Sequence, residues 1–250
     1  MNRTSQRTME ILKFVAESKK PVALHDIVEN MEIPKSSAFS ILQTLIQMNY
    51  ISPHSQNDKH YSIGVETFAL GMKYAADMSL TRETDVYLDP LAQKFGKTGF
   101  VALLEGLDII YVQKYKSQGA MLASCEIGTR RQAHTTALGK CMMAYMQSDE
   151  LERMIQKITF EKLTVYTVDN EEDLRKQIAE IREKGYALDV KENNSMLVCC
   201  SVPIFDHSNQ VVAAISLSDI FKVDEDILLL AKELQEVGQI ISRKLGYLIS

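Results

Sequence analysis

Apolar positions recur at helical spacing through the first 45 residues, and then the period changes. Ile11, Leu12 and Val15 mark an amphipathic helix over Thr8 to Ala16, and Leu24, Ile27, Val28 and Met31 mark a second. Ile33-Pro34 stops the second, because a residue before proline avoids helical dihedrals while proline itself is tolerated where a new helix opens. The helix that follows has Ala38, Ile41, Leu42 and Leu45 as its apolar stripe. Its other face carries Lys35, Ser36, Ser37, Ser40, Gln43 and Gln47. Tyr50-Ile51 and His60 to Ile63 then flank a polar tip, Pro53 to Lys59, as the two strands of a wing would. Two short amphipathic helices at a proline turn occur in many proteins. The hairpin directly behind them is what favours a winged helix-turn-helix, expected in residues 1–64. Short hydroxyls, amides and a lysine are the side chains that reach phosphates and base edges in a major groove. The expected DNA contacts are Lys35, Ser36, Ser37, Ser40 and Gln43 on the recognition helix, Lys59 and His60 on the wing, and Arg7 in support.

Residues 65–79 read as a connecting helix whose Phe68, Leu70, Met72 and Tyr74 offer more apolar surface than a lone linker exposes. A contact between two copies of the chain is therefore expected there. From residue 80 to 250 helical and strand periods mix. Residues 81–96 predict a helix, 99–115 a hairpin turning at Glu105-Gly106, and 134–146 and 169–185 two further helices. Residues 197–218 predict a second hairpin turning near Ser208-Asn209, and the last 28 or so residues one amphipathic helix. An antiparallel sheet with helices packed on it, an α+β fold, satisfies that order.

With 250 residues, 46% of them hydrophobic, the chain can bury two proper cores. Its net charge of −5 is unevenly placed. Residues 1–64 hold 7 Lys+Arg against 6 Asp+Glu, and the remainder 21 against 27. A nearly neutral DNA module on an acidic body gives modest affinity per copy, so a homodimer or homotetramer on a near-palindromic operator is expected. No stretch reaches the roughly 18 apolar residues that span a bilayer, and the first residues lack a signal-peptide core. Cys125, Cys141, Cys199 and Cys200 show neither disulfide-like nor zinc-ligand spacing. These features point to a reduced, cytoplasmic protein with no membrane partner, no metal and no cofactor.

A set of ordered blocks then resembles the IclR family of bacterial transcription regulators nearly end to end. The blocks are Ser36-Ser37 in KSSAF, YSIG and FALG before the connector, GTRRQAHTTALGKCMMA (128–144), GYALDVKEN (185–193) and CCSVPIFDHSNQVVAAISLS (199–218). The resemblance implies a winged helix for operator DNA and a GAF/PAS-like domain that binds a small effector, usually a carboxylate or aromatic acid. It leaves open whether the protein represses or activates. Carried over residue by residue, the family's effector contacts fall on Ala137, Leu138, Asp189, Cys199, Ser216 and Ser218. Where many members carry an arginine in the recognition helix, this chain has Phe39-Ser40, so one phosphate anchor is missing.

Elementary chemistry supports the same pocket. Thr135 or Thr136 is a natural N-cap, and the amides of Ala137, Leu138 and Gly139 behind it open a helix whose end attracts carboxylates. Strand alternation puts Ala214, Ser216 and Ser218 on one face, and Leu197, Cys199 and Ser201 likewise. Each residue also has a plainer role: serines bonded to backbone, Asp189 solvated at a turn, cysteines as small core hydrophobes. His134 reads as a capping histidine, and Arg130-Arg131 as either an exposed loop or a partner for an effector's acid group. Two alternatives stand beside the sensor: a thiol-dependent enzyme on a GAF-like sheet, and a DNA-binding regulator whose effector site is dead. Cys199 and Cys200 point to opposite faces of a strand, and no Ser/His/Asp order or Gly-rich phosphate loop supports catalysis.

Overall fold

The computed structural model describes residues 2–54, 59–77, 79–118, 120, 125–222 and 226–248, with backbone alone for 74–77 and 79. The chain divides into two compact units, residues 1–78 and 79–250.

In the first unit α1 (Arg3–Glu17), β1 (Val22–Ala23), α2 (Leu24–Met31), α3 (Lys35–Gln47), β2 (Ile51–Pro53), β3 (His60–Ile63) and α4 (Val65–Asp77) follow in order. α1 starts five residues earlier than its apolar period predicts, because the Asn2 side chain accepts from the amides of Thr4 and Ser5 and caps it. Ile11, Val15, Ile27, Ala38, Ile41, Leu42, Leu45 and Ile51 close one core. The wing is a small antiparallel sheet in the order β1-β3-β2, in which Ser52 faces Ser62 and Val22 faces Tyr61. The expected wing tip falls partly on residues 55–58, outside the described residues.

The second unit runs α5 (Ser79–Phe95), β4 (Thr98–Glu105), β5 (Asp108–Lys116), β6 (Arg130–Gln132), α6 (Ala137–Ala144), α7 (Ser148–Ile155), α8 (Glu171–Lys184), β7 (Ala187–Val190), β8 (Leu197–Phe205), β9 (Val211–Ile220) and α9 (Ile227–Lys244). Its strands form one antiparallel sheet in the order β6-β5-β4-β9-β8-β7. α5 packs on β4 and β5, and α9 on β8, against one face of this sheet. α6 and α8 cover the other, burying Cys141, Met142, Met143, Leu174, Ile178 and Ile181 against Phe100, Ala102 and Ala214. α8 forms where it does because Asn170 caps it, three acids fill its first turn, Arg182 and Lys184 its last, and Gly185 ends it at φ 76°.

The β4–β5 turn falls at Gly106-Leu107, one residue later than expected, since Glu105 still pairs with Asp108. The final helix spans 18 residues rather than about 28, starting where Asp226 accepts from the Leu229 amide. The short edge strands β6 and β7 carry too few residues to show a period, whereas α7 does carry one, Leu151, Met154 and Ile155, that the sequence reading passed over.

Candidate effector site and DNA-facing helix

The second unit's site begins where a short 3-10 turn, Ala133–Thr135, folds back against α6. A Cβ at residue 139 would stand 2.2 Å from the Ala133 carbonyl oxygen, so only glycine allows that approach. Thr136, not Thr135, is the cap: its Oγ1 accepts from the Gly139 amide at 3.0 Å and donates to the Ala133 carbonyl at 3.2 Å. The Gly139 amide is thus occupied, and the free helix end expected to include it is reduced to Ala137 and Leu138. Those two amides find no acceptor among the described residues.

Strand register supplies the facing wall. Asp189 on β7 pairs with Cys199 on β8, which pairs with Ser218 on β9. Ser216 lies next in register between Ser201 and Phe100. All these residues except Ser201 line one cavity with Tyr111, Cys125, Thr136, Ala137, Leu138, Asn193, Asn194 and Leu197. The structure therefore brings Ala137, Leu138, Asp189, Cys199, Ser216 and Ser218 together. Ser201 turns aside, its hydroxyl donating to the Ile215 carbonyl. Cys199 donates to the Ser218 hydroxyl at 3.1 Å, while the Ser216 hydroxyl makes no hydrogen bond among the described residues. The cavity is small, about 30 Å³.

A buried lysine stands behind the site. Lys140 is fully buried on α6, its Nζ 2.6 Å from Glu192 Oε1 and 2.7 Å from Gln177 Oε1. Burial lifts the Asp189 carboxyl to about 6; Lys140 pulls it down, Glu192 pushes it up, and the amides of Glu192 and Asn193 pull it down. Burial lowers His134, with Lys140 adding to the effect, so it stays neutral. His134 packs edge-on against Phe160 rather than capping a helix. Burial also raises the thiols, Cys200 to about 12 and Cys141 and Cys199 further, which keeps the nucleophilic thiolate out of reach at neutral pH. Arg130 and Arg131 sit on edge strand β6, beside a wider recess that shares Asn193 and Asn194 with the cavity.

Single-sequence reading missed Lys140, Glu192, Asn193, Tyr111 and Phe100. The lysine sat in an apolar helix stretch, KCMMA, where a buried charge demands a partner; that signal was present but named no partner.

In the first unit Ala38, Ile41, Leu42 and Leu45 are buried, and the opposite arc of α3 is open. Lys35, Ser36 and Ser40 are exposed, Ser37 and Gln43 half-buried. Lys35 makes no ion pair among the described residues. Lys59 and His60 are exposed at the base of the wing, with His60 opposite Ala23, and Arg7 is half-buried on α1. On α4, Val65, Phe68 and Met72 are exposed at i, i+3 and i+7, one helical face. Leu70 is exposed on another side, and the Tyr74 side chain lies outside the described residues.

Comparison with known proteins agrees with this architecture. Residues 4–54 match the IclR helix-turn-helix domain, and residues 72–243 match the bacterial transcriptional regulator IclR C-terminal family. The chain is 31% identical to the HTH-type transcriptional regulator XynR of Escherichia coli over 97% of its own length and 96% of that protein's. The Thermotoga maritima IclR structure superposes with a TM-score of 0.77 at 26% identity, covering 98% of this chain and 99% of that one. An IclR homologue from Microbacterium hydrocarbonoxydans, solved as a complex with 4-hydroxybenzoate, shares the fold at a TM-score of 0.83 and 18% identity, over 97% of this chain and 98% of that one. Among the described residues no helix is long and apolar enough to cross a membrane. The relatives are regulators, not enzymes, and the thiol-dependent alternative falls with that. This chain belongs to the IclR family of transcriptional regulators, with a DNA-binding helix-turn-helix and a C-terminal effector domain.

Proposed function

We propose that the protein binds a small carboxylate metabolite in the cavity between α6 and strands β7–β9, and that occupancy changes its affinity for operator DNA. The observation that carries this reading is the pair of unoccupied amides, Ala137 and Leu138, opening into a cavity whose far wall offers the Ser216 and Ser218 hydroxyls and Asp189. The helix end attracts the anionic group, and the strand side chains fix its other oxygens. Cys199 lines the wall. Residues 1–64 would serve as the DNA-binding domain, 65–79 as connector and 80–250 as effector domain. Lys35, Ser36, Ser37, Ser40 and Gln43 would face the groove, with Lys59, His60 and Arg7 on flanking phosphates. The apolar face of Val65, Phe68 and Met72 supports a dimer, or a dimer of dimers, with half-sites on one side of the duplex.

A second reading, a regulator whose cavity admits nothing, is favoured by the cavity's volume of about 30 Å³. Thermal unfolding of the full chain against a panel of carboxylates that includes 4-hydroxybenzoate separates the two. A live sensor melts higher by mass action with at least one acid; a dead site melts at the same temperature with all of them.

A further inference from the structure

We propose that Phe39 reads the 5-methyl group of a thymine in the operator and so sets base preference. The inference rests on the DNA-binding reading of α3. Phe39 is the fifth residue of that helix, one turn after Lys35 and one turn before Gln43. At helical spacing it falls on the open arc, away from the Ala38, Ile41, Leu42 and Leu45 stripe. Half of its surface, 50%, is exposed. The module's core recruits Phe14, Tyr50 and Tyr61 as partly buried packing partners, but Phe39 is not among them. The half of the ring left in water gives up the stabilisation that burial provides, so holding the module together does not account for that exposed half.

On a recognition helix it has one. Side chains near the helix start reach base edges, and thymine is the one base that presents a methyl group in the major groove. Ser36, Ser40 and Gln43 beside the ring supply hydrogen bonds to base edges or phosphates; the ring supplies the apolar contact they cannot make. A second copy of the chain is the poorer occupant, because the ring's neighbours Lys35, Ser36 and Ser40 are polar, whereas α4 offers a continuous apolar face.

The test uses a duplex selected by the wild-type protein from a random pool, with each thymine replaced in turn by deoxyuridine, which lacks only the methyl. One such replacement should weaken wild-type binding about fourfold, the equivalent of one methyl taken from contact. Phe39→Ala should bind thymine and uracil duplexes equally, and Phe39→Leu should keep part of the difference. Sedimentation and thermal melting of both variants should match wild type. The proposal is overturned if no thymine replacement weakens wild type, or if Phe39→Ala discriminates as wild type does. It is also overturned if Phe39→Ala turns the protein monomeric with unchanged base preference. A wild-type protein that selects no sequence at all removes the DNA-binding reading, and this inference with it.

Discussion

Lys140 and Glu192 meet at 2.6 Å, Nζ to Oε1, with both side chains buried. The pair ties α6 to the loop after β7, and Asn193 and Asn194 of that loop line the cavity. Asn193 in turn donates to Thr135 Oγ1 at 3.0 Å, joining the loop to the turn that precedes α6. Two charges taken out of water are tolerable together and costly apart. Lys140→Met alone should therefore destabilise the second unit by about 3 to 5 kcal/mol, by stranding the Glu192 carboxylate. Lys140→Met with Glu192→Leu should recover most of that loss. Denaturant unfolding of the full chain checks it; costs that simply add in the double variant contradict the pairing.

The same cluster gives a pH dependence. The Asp189 carboxyl is raised to about 6, whereas an unfolded aspartate titrates near about 3.9. The folded state thus holds this proton more tightly than the unfolded chain. Its contribution to stability is fully present below about pH 4, and is lost as pH rises towards the folded value of about 6. A bound carboxylate beside Asp189 should reinforce the protonated form. Effector affinity should fall as pH rises above about 6, by up to about tenfold per unit where one full proton is taken up. Calorimetric titration at pH 6.0 and 7.5 reads the slope, and Asp189→Asn should flatten it. An equal slope in Asp189→Asn would place the titrating group elsewhere.

Gly139 sets how closely the 3-10 turn lies on α6. Gly139→Ala puts a methyl 2.2 Å from the Ala133 carbonyl oxygen, so the two elements must separate. Overpacking of this kind costs about 1 to 3 kcal/mol. It should also displace the Ala137 and Leu138 amides and weaken effector binding. A variant with wild-type melting and wild-type effector affinity would show that the close approach is not needed.

On α3, Lys35→Ala should weaken binding to all duplexes alike and flatten the salt dependence by about one unit of slope, as expected when one phosphate contact is lost. Gln43→Ala should instead change which bases are preferred. Unchanged operator affinity in the combined variant would sink the assignment of this face.

The winged helix was legible because each of its helices carries its own apolar stripe and Pro34 punctuates them. The stripe Ala38, Ile41, Leu42 and Leu45 is buried as its spacing predicts. The strand serines were legible because alternation alone puts Ser216 and Ser218 on one face. Asp189 came from the family resemblance, and Cys199 from the resemblance together with the same alternation. Their place beside Ser218 depends on the registers of β7, β8 and β9, which no local pattern encodes. Lys140 and Glu192 are 52 residues apart in sequence, so their pairing could be read only once the sheet had brought α6 and β7 together. The extent of α1 turned on Asn2, a side chain outside the apolar period.

Operator affinity measured with and without a bound carboxylate, in the wild-type chain and in Ser216→Ala/Ser218→Ala, decides most directly whether the cavity governs DNA binding. Wild type should shift by about 5- to 150-fold, the range that a coupling of 1 to 3 kcal/mol produces. The double variant should bind effector-free operator as wild type does and lose the shift. A double variant that still responds in full would contradict the assignment and move the effector to the recess beside Arg130 and Arg131.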